Sequence, residues 1–236
     1  MTSGLPILDQ RAPREHVPGD VERALAELWP TARQRVDTFR YWRETWALRR
    51  KFSLRFIRLG ELKVKIPQGQ LPDCETCEDL CCTGPNAIVS LRLRDIAALV
   101  DARLDRFIVA RSQEQKTRGN DVFHDVFPVL DRDPTGTCRL LTDDRLCGAH
   151  PAWPLSCARY PYALDAQLKV VFWAEGCRST TEIPAVDAPI RVRALVRAAV
   201  DGYNERIKDA VLLHTARPEL EALGLLKFLD LSRFSR

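Results

Sequence analysis

From Gly19 the segment GDVERALAELWP sets Val21, Ala24, Leu25 and Leu28 at helical spacing. A second segment from Thr31 to about Lys51 repeats the period with Val36, Phe39, Trp42 and Trp46. Pro30 is expected to separate the two helices, with Thr31 as the N-cap of the second. The stretch FSLRFIRLGELKVKIP reads two ways: Leu62, Val64 and Ile66 alternate as in a strand, whereas Leu54, Ile57 and Glu61 continue a helix. Further on, AIVS is a short strand candidate, and RLRDIAALVDARLDRFI predicts a helix through Ile96, Leu99, Leu104 and Ile108. LKVVFWAEGC predicts a strand ending at Cys177. Two more helical patterns, IRVRALVRAAVDGYNERI and PELEALGLLKFL, follow, with breaks expected near Gly202 and Pro218.

Composition changes this picture little. The 236 residues suffice for one large domain or a central domain with helical extensions, and an apolar share of 45% with 29% charged residues is that of a soluble globular chain. A net charge of +4, from 36 basic and 32 acidic residues, is too mild to be a nucleic-acid footprint. The start MTSGLPILDQRAPREH lacks an apolar run of signal-peptide length, and no uncharged stretch approaches the roughly 18 residues of a membrane span. A cytoplasmic location without a membrane partner is therefore expected.

The cysteines change it a great deal. All eight lie between positions 74 and 177, and a reducing compartment favours metal ligation or catalysis over disulfides. Cys74, Cys77, Cys81 and Cys82 form a CxxCxxxCC run within PDCETCEDLCCTGPN. Thiolates two residues apart grip one tetrahedral ion from a tight turn, and Cys81 lies one further helical turn along. Cys82 points away from its neighbour, which favours one of the two adjacent cysteines serving a second metal or none. In TGTCRLLTDDRLCGA the polar turn Thr142–Asp144 between apolar runs predicts a hairpin pairing Leu140 with Cys147. That register would make Cys138 and Cys147 diagonal neighbours on one face, roughly 7 to 8 Å apart. Cys157 follows in the proline-laden HPAWPLSCARYPYAL, expected to be an irregular loop that a metal would tie down. His150 is read as an ordinary loop histidine rather than a nitrogen ligand, and His124 is a weaker candidate still.

These residues resemble a known family, the zinc- or iron-chelating cysteine-cluster proteins of YkgJ type, which also includes flagellin lysine N-methylases of the FliB kind. The resemblance rests on CETCEDLCC, then IVSLRLRDIAALV, then GTCRLLTDDRLCGAHPAWPLSCARYPY, and covers positions 72 to 178. It departs from the family at Trp153-Pro154 and Cys157-Ala158-Arg159, where an Arg-Pro pair and an arginine directly after the cysteine are usual. It implies a metal held by Cys74, Cys77, Cys81, Cys82, Cys138, Cys147, Cys157 and Cys177 in a structural or redox role. The metal is zinc or iron, a [4Fe-4S] cluster included, and a protein partner is compatible with that role. The alternative it implies is an iron-sulfur-dependent protein lysine N-methyltransferase using S-adenosylmethionine, and no catalytic residue is assigned.

Other chemistry finds little support. The 11 glycines include no G-x-G pair, which excludes the dinucleotide and P-loop fingerprints, and G-x-S-x-G, HExxH and the radical CxxxCxxC order are absent. Between Arg33 and Arg58 arginines alternate with aromatics, a pattern that serves nucleic acid or, as favoured here, a helix with an apolar core face and a basic solvated one. The expected architecture is mainly α with a few short strands, an irregular metal-stabilised cysteine-rich centre flanked by helices. Residues 1–66 form an N-terminal helical extension, 67–180 the cysteine-cluster metal-binding domain, and 181–236 C-terminal helices packing on that centre.

Overall fold

Helices dominate the computed structural model, which describes residues 17–36, 57–65, 70–72, 81–83, 88–115, 125–143, 147–165, 169–173, 180–182 and 188–232. In chain order the elements are α1 (Asp20–Val36), β1 (Lys63–Lys65), β2 (Gln70–Pro72), α2 (Leu93–Asp101), β3 (Ile108–Val109), β4 (Val129–Leu130), α3 (Leu155–Arg159), β5 (Tyr162–Asp165), β6 (Val170–Trp173), β7 (Thr180–Glu182), α4 (Ala188–Thr215) and α5 (Arg217–Ala222). No helix among the described residues is long and apolar enough to cross a membrane.

The chain divides into two compact units interleaved in sequence. One comprises Met1–Val17, Ile57–Ala87 and Arg132–Tyr203, the other Pro18–Phe56, Ile88–Asp131 and Asn204–Arg236. Helix α4 contributes its first part to the former and its last turns to the latter.

In the first unit β6 is the central strand of a three-stranded sheet, parallel to β1 and antiparallel to β5. Val171 pairs with Val64 and with Leu164, and it is wholly buried. Tyr162, Val171, Val196 and Ala199 form a core flanked by Leu62, Leu164, Val192 and Leu195, so the apolar positions of β5 and β6 meet the first half of α4. Strands β2 and β7 form a separate antiparallel pair. Within the ambiguous segment the described residues 57–65 form a 3-10 turn, Leu59–Glu61, followed by β1, and the Glu61–Lys169 ion pair at 2.8 Å joins that turn to the start of β6.

Two expected breaks do not occur. Helix α1 runs through Pro30 because Leu25 and Ala32, two turns apart, are buried on one face, while Pro30 itself is exposed and its missing donor falls on the solvent side. Helix α4 likewise passes through Gly202, which is buried against Leu155 and Arg159 of α3: a Cβ there would lie 3.6 Å from Arg159 Cδ. The break near Pro218 does occur, with that proline in the first turn of α5, where its missing N–H costs nothing.

In the second unit α1 packs on α2, and the carboxylate of Asp101, at the end of α2, caps α1 from outside by accepting the N–H groups of Val21 (3.1 Å) and Glu22 (3.0 Å). Gly19 permits this approach, since a Cβ there would overlap Asp101 at 2.2 Å. Helix α2 stops at Asp101 rather than continuing through Leu104 and Ile108. Arg103 adopts φ 58°, the Arg103 N–H reaches Val100 O, and the Leu104 N–H reaches Leu99 O at 2.7 Å, a Schellman ending made without glycine. Ile108 then belongs to β3, which pairs with β4. Of the AIVS candidate, described from Ile88 onward, Ser90 bridges Val129. Helix α5 ends the same way as α2, here with Gly224 at φ 69°, so the pattern through Leu229 is a short helix followed by a 3-10 turn.

A carboxylate is buried among the helices of this unit. Asp209 of α4 is 1% exposed, and burial pushes its pKa well above the ordinary carboxylate value. Arg92 at 3.9 Å opposes the rise, Glu205 and Asp95 add to it, and the Leu93 N–H opposes it. A group with a raised pKa holds its proton in the fold after the unfolded chain has released it. Its stabilising contribution is therefore complete below the unfolded pKa and is lost as pH rises toward the folded one. Asp209→Asn should remove that slope: between about pH 5 and about pH 8 the melting temperature of the wild type should fall relative to the variant. Parallel stability curves would contradict it.

Candidate thiol site

The five described cysteines are thiols, all in the first unit, and they sit on three kinds of local structure. Cys81 and Cys82 begin a turn over 81–83. Cys138 closes a small hairpin in which it bridges Arg132, and this hairpin is organised by Asp133. The Asp133 carboxylate accepts from the Thr135 N–H (2.9 Å), the Thr135 hydroxyl (2.7 Å) and the Thr137 N–H (2.8 Å), and these bonds, the hydroxyl first, hold it below the usual carboxylate range. Cys157 lies in α3, a single turn started by Pro154. That turn replaces the irregular loop expected for this proline-rich stretch, because the carbonyl of Pro154 accepts the N–H groups of Cys157 (2.9 Å) and Ala158 (3.0 Å).

The separate segments meet at Cys82. Its carbonyl accepts the Cys138 N–H at 2.6 Å, so the cysteine turn and the Asp133 hairpin are joined backbone to backbone. Its thiol shares a hydrogen bond with the Cys81 thiol, and the charges of Cys81, Cys157 and Cys138 also act on it. The Cys81 hydrogen bond, burial and then repulsion from these sulfurs push the Cys82 thiol far up from its ordinary value. Cys81, Cys82, Cys138 and Cys157 thus share one electrostatic environment although up to 76 positions separate them in sequence.

Cys147 is placed by a different register from the one expected. It bridges Leu141, and the Gly148 N–H donates to Leu140 O at 2.7 Å. The expected Leu140–Cys147 pairing fails because the Leu141 N–H returns to Cys138 O at 2.9 Å, curling Arg139 and Leu140 into a turn. Cys138 and Cys147 are therefore not diagonal neighbours on one flat strand. Cys74, Cys77 and Cys177 lie outside the described residues, as does His124. The ring of His150 packs edge-on against Trp153 with centroids 5.0 Å apart.

Among the described residues no three histidine, cysteine or acidic side chains are arranged as the ligand set of a metal ion. By donor chemistry cysteine sulfurs suit zinc or iron. The sequence reading missed Arg132 and Asp133. The Asp-Pro-Thr-Gly run at 133–136 is a turn signal that marks the hairpin, whereas nothing in the sequence marks Arg132. The basic aromatic segment lies mostly outside the described residues, but Arg35 at its start is engaged within its own unit, donating to Thr215 O (2.6 Å) and Glu219 (2.9 Å).

No family profile matches the chain, and no curated protein or solved structure shows significant similarity to it.

Proposed function

We propose that this chain is a cytoplasmic thiolate metal-binding protein in which zinc or iron ties together segments poor in regular structure. Cys81, Cys82, Cys138 and Cys157 would supply the nucleus of the ligand set, and Cys74, Cys77, Cys147 and Cys177 the remaining pool. One observation carries it: the Cys138 N–H bonds to Cys82 O at 2.6 Å, joining two cysteine-bearing segments far apart in sequence, and the charges of Cys81, Cys157 and Cys138 act on the Cys82 thiol. Thiolates brought this close repel one another, and a shared cation converts that repulsion into attraction. Bound there, the metal would supply cross-linking between the cysteine turn, the Asp133 hairpin and α3. The same residues fit the resemblance to the YkgJ-type cysteine-cluster proteins, which implies zinc or iron without choosing between them.

Elemental analysis of anaerobically purified protein, read with its visible spectrum, tests this directly. The expected result is about one tightly held ion or cluster per chain. A colourless zinc protein and a brown iron-sulfur protein are the two forms it can take. Cys138→Ser, which removes a buried sulfur at the junction, should lower metal affinity by at least about 100-fold. A wild-type protein that holds no metal and takes none up would refute it.

A further inference from the structure

One guanidinium reaches the backbone of two cysteine-bearing segments. Arg132 Nη2 donates to Cys81 O at 3.4 Å, and its Nη1 donates to Cys82 O at 3.5 Å and, more closely, to Gly136 O. Arg132 is also the residue that Cys138 bridges across the hairpin, and Cys82 O already receives the Cys138 N–H. The carbonyls of the adjacent cysteines therefore converge on the side chain that begins the hairpin bearing Cys138.

We propose that Arg132 is a positioning residue for the thiol site, setting the angle at which Cys81 and Cys82 present their sulfurs to Cys138 and Cys157. The role as a metal-site organiser rests on the metal-binding reading above. Each of the two longer bonds is weak by itself. Their strength lies in sharing one rigid plane with the Gly136 contact, so that the turn cannot rotate without breaking several bonds at once. Adjacent cysteines need such a restraint, because successive side chains diverge and the turn over 81–83 has no regular secondary structure to hold them. A guanidinium carries five donors in a fixed fork, whereas an ammonium is a single point on a flexible stem, so lysine keeps the charge and loses the geometry.

Arg132→Lys and Arg132→Met separate fork from charge, and two readouts separate this inference from metal binding. In the reduced, metal-free protein, iodoacetamide labelling mapped by mass spectrometry should speed up several-fold at Cys81 and Cys82 in both variants. Cys147, on the adjoining turn, serves as the internal reference, since general loosening would accelerate it equally. In cobalt(II) titrations, affinity should fall about 10- to 100-fold in both variants, with an altered ligand-field spectrum. Wild-type rates and affinity in Arg132→Lys would overturn the inference, as would an equal acceleration at Cys147. If the wild type bound no cobalt while the selective labelling change appeared, the metal reading would fall and the positioning role would stand. Should Arg132→Met fail to fold, the lysine variant alone decides.

Discussion

Stripping the metal proposed for the thiol site with a chelator is expected to lower the thermal unfolding midpoint of the protein by about 10 °C. An ion present at about a thousand times its dissociation constant stabilises the fold by roughly 4 kcal/mol, and for a chain of this size each kcal/mol moves the midpoint by about 2 to 4 °C. The effect should be large here because the ion would cross-link short stretches of local structure. The described part of the first turn is three residues long, the Cys138 hairpin closes through a single bridge, and α3 has five residues. An apolar cluster of the first unit draws on β5, β6 and α4. Calorimetry with and without chelator, followed by restoration with zinc or ferrous iron, measures it. A melting curve unmoved by metal removal would exclude a structural role for the ion.

Truncating Leu99 to alanine is expected to cost about 3 kcal/mol of folding stability. Leu99 is wholly buried in α2, whose inner face also carries Leu93, Ile96 and Ala97, all buried, and α2 packs against α1 in the second unit. A helix of nine residues is too short to persist on its own propensity, so packing of this face is what maintains it. Its Schellman ending also depends on the Leu99 carbonyl, which the substitution leaves in place, so the loss should report side-chain packing alone. Urea unfolding with an unchanged slope would show it. A loss under about 1 kcal/mol would mean that the site collapses around the missing side chain.

The sequence made several of these elements legible. Periods of three and four residues located α1, α2, α4 and α5, and the apolar run of LKVVFWAEGC located β6, since burial writes itself into local spacing. Pro218 marked the start of α5 because a proline in the first turn loses no hydrogen bond. Where the period misled, a distant partner was responsible. Pro30 and Gly202 look like breaks until one sees that each helix is held across them by packing, and Arg103 gives no hint that it takes the left-handed conformation that ends α2. The Cys147 register slipped by one residue because Cys138 and Leu141 close a turn that alternation cannot reveal.

By itself, then, the order of residues determined the helical character of the chain, the confinement of its cysteines to one region and the sulfur chemistry that region offers. Tertiary structure alone decided that two units interleave along the chain, that the Cys138 N–H bonds to Cys82 O, and that Arg132 reaches the carbonyls of Cys81 and Cys82. Helical spacing and side-chain chemistry are local and can be read over a few residues. The meeting of sulfurs many positions apart depends on which backbone groups bond across the fold, and no local pattern encodes that choice.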